Sequence, residues 1–287
     1  MSFLPALVDG LCIGFVYGLA AMGLTLIFGV LRVVNLAHGS MITLGMFGLY
    51  LLSTHLNLNP YLALVLVAVL GLGSGMLIYY LALHRTMNAP HLSSLLATFA
   101  VNMILVGIGT ATFSTSARNL DFALGSFHYG EGAISGQRLV AVFATLGVTS
   151  GLYLFLAYTS TGKYIRAVAN NRYAAELVGI PSTSILALSF GLGTMLAAIA
   201  GGLIATFLPF TILAGGVYEL KSFVICVLGG LGNPLGALLG GLILGVLEGF
   251  LPFFLPNLPN TWIPVLEFGL FVVILLFRPS GLLGAKQ

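Results

Sequence analysis

The stretch VDGLCIGFVYGLAAMGLTLIFGV, residues 8–30, decides the fold class because it holds one charged side chain over a length that suffices to cross a bilayer as a helix. The whole chain has the same character. Of its 287 residues, 59% are hydrophobic and 6% are charged, whereas soluble domains carry about 25% charged residues. This composition excludes a soluble enzyme and predicts an all-α polytopic membrane protein, with residues 1–287 forming a single transmembrane domain.

The remaining apolar stretches predict where the chain crosses the membrane. Besides residues 8–30, we interpret the following segments as membrane helices: 41–52, 61–83, 92–113, 139–158, 185–208, 223–231, 235–251 and 262–277. Segments 41–52 and 223–231 are shorter than the ~20 residues of a perpendicular span, so we expect each to be tilted, broken or re-entrant. The sequence therefore predicts about eight to nine transmembrane helices.

Basic residues indicate the orientation, because cytoplasmic loops carry the excess of Lys and Arg. If all these segments cross, one side of the membrane receives Arg32, Arg85, Lys163, Arg166, Arg172, Arg278 and Lys286. The other side receives Arg118, Arg138 and Lys221, together with the acidic residues Asp9, Asp121, Glu131 and Glu219. This distribution predicts an N-terminus outside and a C-terminus inside.

The sequence lacks the motifs that carry common enzymatic and nucleotide-binding chemistry. GxxxxGK[ST], GxGxxG, HExxH, GxSxG and CxxC are all absent. Cys12 and Cys226 lie inside apolar stretches, so we interpret them as small buried hydrophobic residues. We therefore expect the passage of a solute rather than catalysis, with no metal site, no cofactor held by this chain and no nucleic-acid partner.

Residues 159–184 form the most polar stretch of the chain and lie on the predicted inner side. Alanines favour a helix over residues 163–178, with Gly179 as its C-terminal cap and Pro181 as its stop. One face of that helix would carry Tyr164, Ala167, Val168, Ala175 and Val178. Such a helix is suited either to docking a cytoplasmic partner or to binding lipid headgroups at the membrane surface.

Five segments of the sequence resemble one known family. AAELVGI, residues 174–180, is similar to the loop by which ABC transporter permeases dock on their ATPase subunits. Four more segments resemble the H-type permease of branched-chain amino acid ABC importers: GVLRVVNLAHGSMITLG (29–45), LLATFAVNMIL (95–105), KSFVICVLGGLGNPLGALLGGLILGVLEG (221–249) and FRPSGLLG (277–284). The resemblance extends almost end to end, in the expected order and spacing.

The resemblance implies a permease subunit in the bacterial inner membrane. Its implied partners are a second permease chain, two ATPases that hold ATP and Mg²⁺, and a periplasmic substrate-binding protein. Within the cytoplasmic coupling loop, 159–184, the residues implied in ATPase coupling are Lys163, Arg166, Asn170, Arg172, Ala174, Ala175, Glu176, Leu177, Gly179 and Ile180.

Polar residues in the family-like segments are candidates for the translocation pathway. Asn35 and His38 precede the short segment 41–52, where they either satisfy the backbone of a broken helix or line the pathway. Asn102 lies within the segment 92–113 and is a third candidate.

Two more features of the C-terminal third are candidates for the same pathway. Asn233 precedes Pro234 in a Gly-rich stretch that continues to Gly236, which predicts a helix break and a new helix N-terminus. That N-terminus would either present N–H groups to a substrate carboxylate or allow close helix packing. Glu248 and Glu267 fall near the outer ends of their spans, where they either reach the interface or meet a substrate ammonium group.

The function predicted from these features is ATP-driven import of a small amino acid, most simply Leu, Ile or Val. Urea or a short amide is the closest alternative solute, because related permeases carry such compounds. An autonomous channel is the alternative from another class, suggested by Asn233-Pro234 at a helix break. An ion-coupled transporter would need an acidic residue at mid-membrane, and we expect none.

Overall fold

The computed structural model describes residues 3–87, 89–129, 132–254, 259, 262–277 and 281–283. Its helices are α1 (Phe3–Leu31), α2 (His38–His55), α3 (Pro60–Ile78, continued by a π-helical turn, Tyr79–Leu83), α4 (His91–Phe113), α5 (Gly136–Tyr158), α6 (Ser160–Asn170), α7 (Arg172–Leu177), α8 (Ser182–Ala205), α9 (Ala214–Gly229), α10 (Pro234–Phe254) and α11 (Ile263–Phe277). A short antiparallel hairpin joins β1 (Ser126–Tyr129) to β2 (Gly132–Ser135).

The predicted polytopic helical architecture is confirmed. Six of the described helices are long and apolar enough to cross a membrane: α1, α3, α4, α5, α8 and α10. The hairpin, which pairs Ser126 with Ser135, was not predicted and lies in the long connection before α5. Glu131, Arg278 and Lys286, which were used to predict the orientation, lie outside the described residues.

Glycines determine how the central helices pack. A Cβ atom added at Gly14 of α1 would lie 2.8 Å from the Gly241 carbonyl oxygen of α10, and one at Gly10 would lie 2.7 Å from that of Gly245. On another face of α1, a Cβ at Gly193 of α8 would lie 2.6 Å from the Gly23 carbonyl oxygen. Since only glycine allows backbones to approach this closely, α1 lies in the middle of the bundle with α8 and α10 against it.

Helix α2 begins inside the bundle, and the start of α9 packs against it. The His38 side chain, at the start of α2, donates from Nε2 to the Ala20 carbonyl oxygen over 2.9 Å, and Ala20 lies in the middle of α1. The start of α9 lies against the start of α2, because a Cβ at Gly215 would be 2.7 Å from the Gly39 carbonyl oxygen. The helix break expected near residues 35–38 is therefore present, and backbone outside a helix is held there by surrounding protein.

The predicted single helix over residues 163–178 is wrong, because α6 and α7 are separate helices. Asn171 between them is extended, with φ −154° and ψ 102°, and its side chain accepts a hydrogen bond from the Ala174 N–H at the start of α7. An asparagine at this position offers the backbone an alternative to continuing the helix. The predicted cap is present, since Gly179 has a φ of +83°.

Candidate functional site: the cytoplasmic helix pair and the interior polar residues

The α6–α7 pair is held against the bundle by apolar contacts on α6 and by polar contacts on α7. Ile165 and Val168 of α6 are buried, whereas Tyr164, which was predicted to share that face with Val168, is exposed. Thr159 caps α6 by accepting a hydrogen bond from the Gly162 N–H over 3.0 Å. The helix therefore lies along the end of α5 in one defined orientation.

Glu176 fixes α7 to the start of α8. Its Oε1 accepts a hydrogen bond from Arg172 Nε over 3.0 Å and another from the Ser182 hydroxyl group. The Ser182 hydrogen bond and the Arg172 guanidinium group hold the pKa of the Glu176 carboxyl group below its usual value. At neutral pH the carboxylate is charged, so both contacts hold α7 in place.

The outer surface of α7 and the residue after it form an apolar patch. Tyr173, Leu177 and Val178 are 72%, 71% and 76% exposed, and we refer to them as the α7 patch. Ala175, predicted among the docking residues, is buried, so its side chain faces the bundle rather than a partner. The other predicted coupling residues lie around the patch; exposed are Lys163, Arg166, Asn170, Ala174, Glu176 and Gly179, and partly exposed are Arg172 and Ile180.

Asn35 and His38 are buried in the bundle. His38 bonds the backbone of α1, and Asn35 Oδ1 accepts a hydrogen bond from the Ala37 N–H over 3.1 Å. Among the described residues, His38 Nδ1 and Asn35 Nδ2 have no hydrogen-bond partner. The structure thus shows the contacts expected of residues that support a helix break.

Asn102 is the predicted pathway residue on a peripheral helix. It lies on α4, is partly exposed, and accepts a hydrogen bond from the Ser40 hydroxyl group at the start of α2. One turn earlier on α4, Thr98 Oγ1 accepts a hydrogen bond from the Leu36 N–H over 3.2 Å. These polar contacts join α4 to the segment where α2 begins.

The helix break before α10 is stabilised by the Asn233 side chain and by close helix packing. Asn233 Oδ1 accepts hydrogen bonds from the N–H groups of Leu235 and Gly236 over 3.1 and 3.2 Å, so it caps the helix. Gly236 packs against the backbone of Gly229, where an added Cβ would overlap the carbonyl group. The close-packing alternative for this stretch is therefore observed, and the amide N–H groups of the first turn are occupied.

Glu248 and Glu267 meet a lysine inside the bundle. Lys221 Nζ lies 2.6 Å from Glu248 Oε2 and 3.6 Å from Glu267 Oε1, and it donates to the Tyr17 hydroxyl group over 3.3 Å. The Glu267 side chain is only 2% exposed. These four residues, which we call the Lys221 cluster, join α1, α9, α10 and α11.

The Lys221 cluster corrects one expectation. Lys221 was predicted in an outer loop, but it lies in the middle of α9, which begins nine residues earlier than the predicted segment 223–231. Glu219 and Lys221 interrupt the apolar pattern there, so hydropathy did not find the first half of this helix.

Comparison with known proteins identifies the family. Residues 6–275 match the family described as "Branched-chain amino acid transport system / permease component". The chain belongs to this family. The match covers all or nearly all of every described helix, and of the family-like segments only FRPSGLLG (277–284) lies beyond it.

Named relatives match over nearly their full lengths. The chain is 29% identical to the "High-affinity branched-chain amino acid transport system permease protein BraD" of Pseudomonas aeruginosa, covering 99% of this chain and 97% of BraD. It is 28% identical to the corresponding LivH protein of Escherichia coli K12, covering 100% and 97%. A "Probable branched-chain amino acid transport permease protein LivH" of Methanocaldococcus jannaschii is 31% identical over 93% and 88%.

A solved structure has the same overall fold. The structure titled "PsaBC from Streptococcus pneumoniae in complex with Fab" superposes with a TM-score of 0.51, covering 95% of this chain and 92% of that one. At 12% identity this likeness concerns the fold alone. The family match and the six apolar helices make the chain a multi-pass membrane protein and a transport permease rather than an enzyme.

Proposed function

We propose that this chain is the H-type permease subunit of an ATP-binding-cassette importer for Leu, Ile and Val in a bacterial inner membrane. It pairs with a second permease chain, receives its substrate from a periplasmic binding protein and docks on ATPase subunits that hold ATP and Mg²⁺. The α7 patch carries the proposal, because Tyr173, Leu177 and Val178 form an exposed apolar surface outside the six candidate membrane spans, as partner-binding surfaces do.

The geometry of α7 supports docking. The patch is apolar, it lies on a short helix, and Glu176 fixes that helix through Arg172 and Ser182. A partner that moves α7 would thus move the start of α8, a helix that lies almost entirely inside the bundle. Force from ATP hydrolysis can reach the membrane part of the chain by this route.

The proposed orientation places the N-terminus outside and the C-terminus inside. The α6–α7 pair, the turn before α10 and the chain near residue 282 lie at one end of the bundle. The Leu282 N–H donates to the Leu228 carbonyl oxygen over 2.8 Å, and a Cβ at Gly29 would lie 3.2 Å from Gly232. The Asp9–Arg138 ion pair lies near the start of α1, at the other end.

The proposed pathway follows α4 near Asn102 and Ser40, where polar side chains lie on a helix that the chain leaves mostly uncovered. We propose that Asn35 and His38 support the pathway from behind its wall, by holding the start of α2 in place. Asn233, Gly236, Glu248 and Glu267 are proposed to shape it through helix packing, since each has its own contacts within the chain.

Docking is tested by purifying the transporter in mild detergent and measuring whether an ATPase co-elutes. Leu177→Asp places a charge in the α7 patch, and we expect it to reduce co-eluting ATPase at least about tenfold, a loss of about 1.4 kcal/mol of binding free energy. The matched control is Leu124→Asp, which makes the same change at an exposed residue near the hairpin and should leave co-elution at the parental level. Equal co-elution of both variants would rule out the α7 patch as the docking surface.

A further inference from the structure

A cavity of about 350 Å³ lies between α1, α5, α6 and the start of α10. Its lining includes Arg166, a predicted coupling residue, and Asn233, which we propose to shape the pathway. Its size is within the range of small-molecule sites in proteins. The walls are largely apolar and include Met22, Leu26, Leu152 and Leu156. Tyr153 and Leu235 also line the cavity and are exposed, so it is open to the surroundings.

Arg166 lies at this cavity as a cation without an acidic partner. Its Nη2 donates to the Ala157 carbonyl oxygen at the end of α5 over 3.2 Å. Among the residues that the structure describes, no carboxylate lies within ion-pair distance of Arg166, whereas Arg138 and Arg172 each have one and Lys221 has two. The guanidinium group therefore has further N–H groups free for an anionic oxygen.

The elements around the cavity are those typical of a membrane surface. Tyr153 and Tyr158 near the end of α5 are exposed, and tyrosines are enriched at the level of the headgroups. Helix α6 buries Ile165 on one face and exposes Lys163 on another, as interfacial helices do. An apolar cavity beside a free guanidinium group, at this level, suits a ligand with a hydrocarbon chain and an anionic head.

We propose that this cavity binds an acyl chain of an anionic phospholipid whose phosphate accepts hydrogen bonds from Arg166. The apolar walls suit the acyl chain, and the unpaired guanidinium group of Arg166 favours anionic over zwitterionic headgroups. Occupancy of the cavity would hold α6 against α1 and α5. The proposal does not depend on ATPase docking, because the α7 patch and the cavity share no residue.

Lipid binding is tested on the purified transporter after its lipids are removed by detergent washing. Phosphatidylglycerol and phosphatidylcholine are titrated separately, and bound lipid is counted by native mass spectrometry. We expect phosphatidylglycerol to bind at least about tenfold more tightly. Arg166→Gln should abolish that preference, and Arg166→Lys should keep part of it. Lys163→Gln removes the same charge from an exposed position of the same helix and should keep all of it.

A second variant tests the hydrocarbon part of the site. Ala169 lines the cavity, so Ala169→Leu should fill it and reduce phosphatidylglycerol binding while Arg166 is unchanged. An excess of inorganic phosphate should not displace the lipid. The proposal is overturned if Arg166→Gln retains the headgroup preference, if Ala169→Leu binds lipid like the parent, or if inorganic phosphate alone displaces it. If Arg166→Gln cannot be purified, Ala169→Leu alone decides the matter.

Discussion

Helices α1 and α8 differ from α4 and α5 in how much of their surface the chain itself covers. Within an 18-residue window, 78% of α1 and 89% of α8 are buried, against 17% of α4 and 22% of α5. All four are apolar enough to cross a membrane, so hydropathy does not separate them. The surroundings of their glycines do separate them. Glycines of α1 and α8 lie against neighbouring backbones, whereas Gly107, Gly147 and Gly151 of α4 and α5 have nothing within 4 Å of an added Cβ.

The difference divides the chain into a frame and a set of contact surfaces. A helix that is covered on most of its surface sets the positions of its neighbours and has little surface left for a partner or lipid. A helix that is mostly uncovered has room for lipid, for a second permease chain or for the pathway. The predictions below test this division.

The largest loss of stability is expected when the buried Lys221 cation is removed. Lys221→Met leaves Glu248 and Glu267 in the bundle without their cation, and a buried charge that loses its partner costs about 5 kcal/mol at the upper end of measured values. Thermal unfolding in detergent should show a large drop in the midpoint. Adding Glu248→Gln and Glu267→Gln to that variant should restore much of it. A single variant as stable as the parent would show that the Lys221 cluster does not hold these helices together.

The second prediction compares one substitution in the two regions. Phe190→Ala on α8 removes a fully buried ring and should cost about 4 kcal/mol of unfolding free energy. Phe143→Ala on α5 removes an exposed ring and should change the same quantity by less than about 0.5 kcal/mol in the isolated chain. Similar losses at the two positions would contradict the division into frame and contact surface.

The division also explains what the sequence predicted and what it did not. Apolar stretches located the membrane helices, because insertion depends on composition over about 20 residues. Hydropathy missed the first half of α9, since Glu219 and Lys221 are polar and the residues that compensate Lys221 are distant in sequence: Tyr17, Glu248 and Glu267.

The helices that carry the proposed docking surface were predicted in place but not in detail. The polar stretch and Gly179 predicted a helical connection between the membrane helices that the structure shows as α5 and α8. The Asn171 break and the burial of Ala175 were missed, because helix periodicity was carried through residue 171. The outward-facing side of α7 depends on the hydrogen bond from Ser182 to Glu176, and no local sequence pattern predicts that bond.

The smallest effect is expected at that contact. Because Ser182 and Arg172 lower the pKa of Glu176, its ionised form contributes to folded-state stability above the usual pKa of 4.5, and that contribution is lost as pH falls through the lowered value. Ser182→Ala should move the pKa back up, so the contribution is smaller and its loss is complete at higher pH. Carbon-13 NMR of carboxyl-labelled glutamate would follow the titration, with Glu176→Gln to assign the resonance. An unchanged pKa in Ser182→Ala would show that the hydroxyl group does not stabilise the carboxylate.

Uptake of leucine by proteoliposomes is the measurement that tests the proposed function most directly. The chain is reconstituted with its co-purifying permease and ATPase partners, and radiolabelled leucine is supplied with the binding protein. We predict uptake that requires both ATP and the binding protein and that falls to background in Leu177→Asp while Leu124→Asp keeps the ATP dependence. Uptake that runs down the leucine gradient without ATP, or that Leu177→Asp leaves at the parental rate, would contradict an ATP-driven importer coupled through the α7 patch.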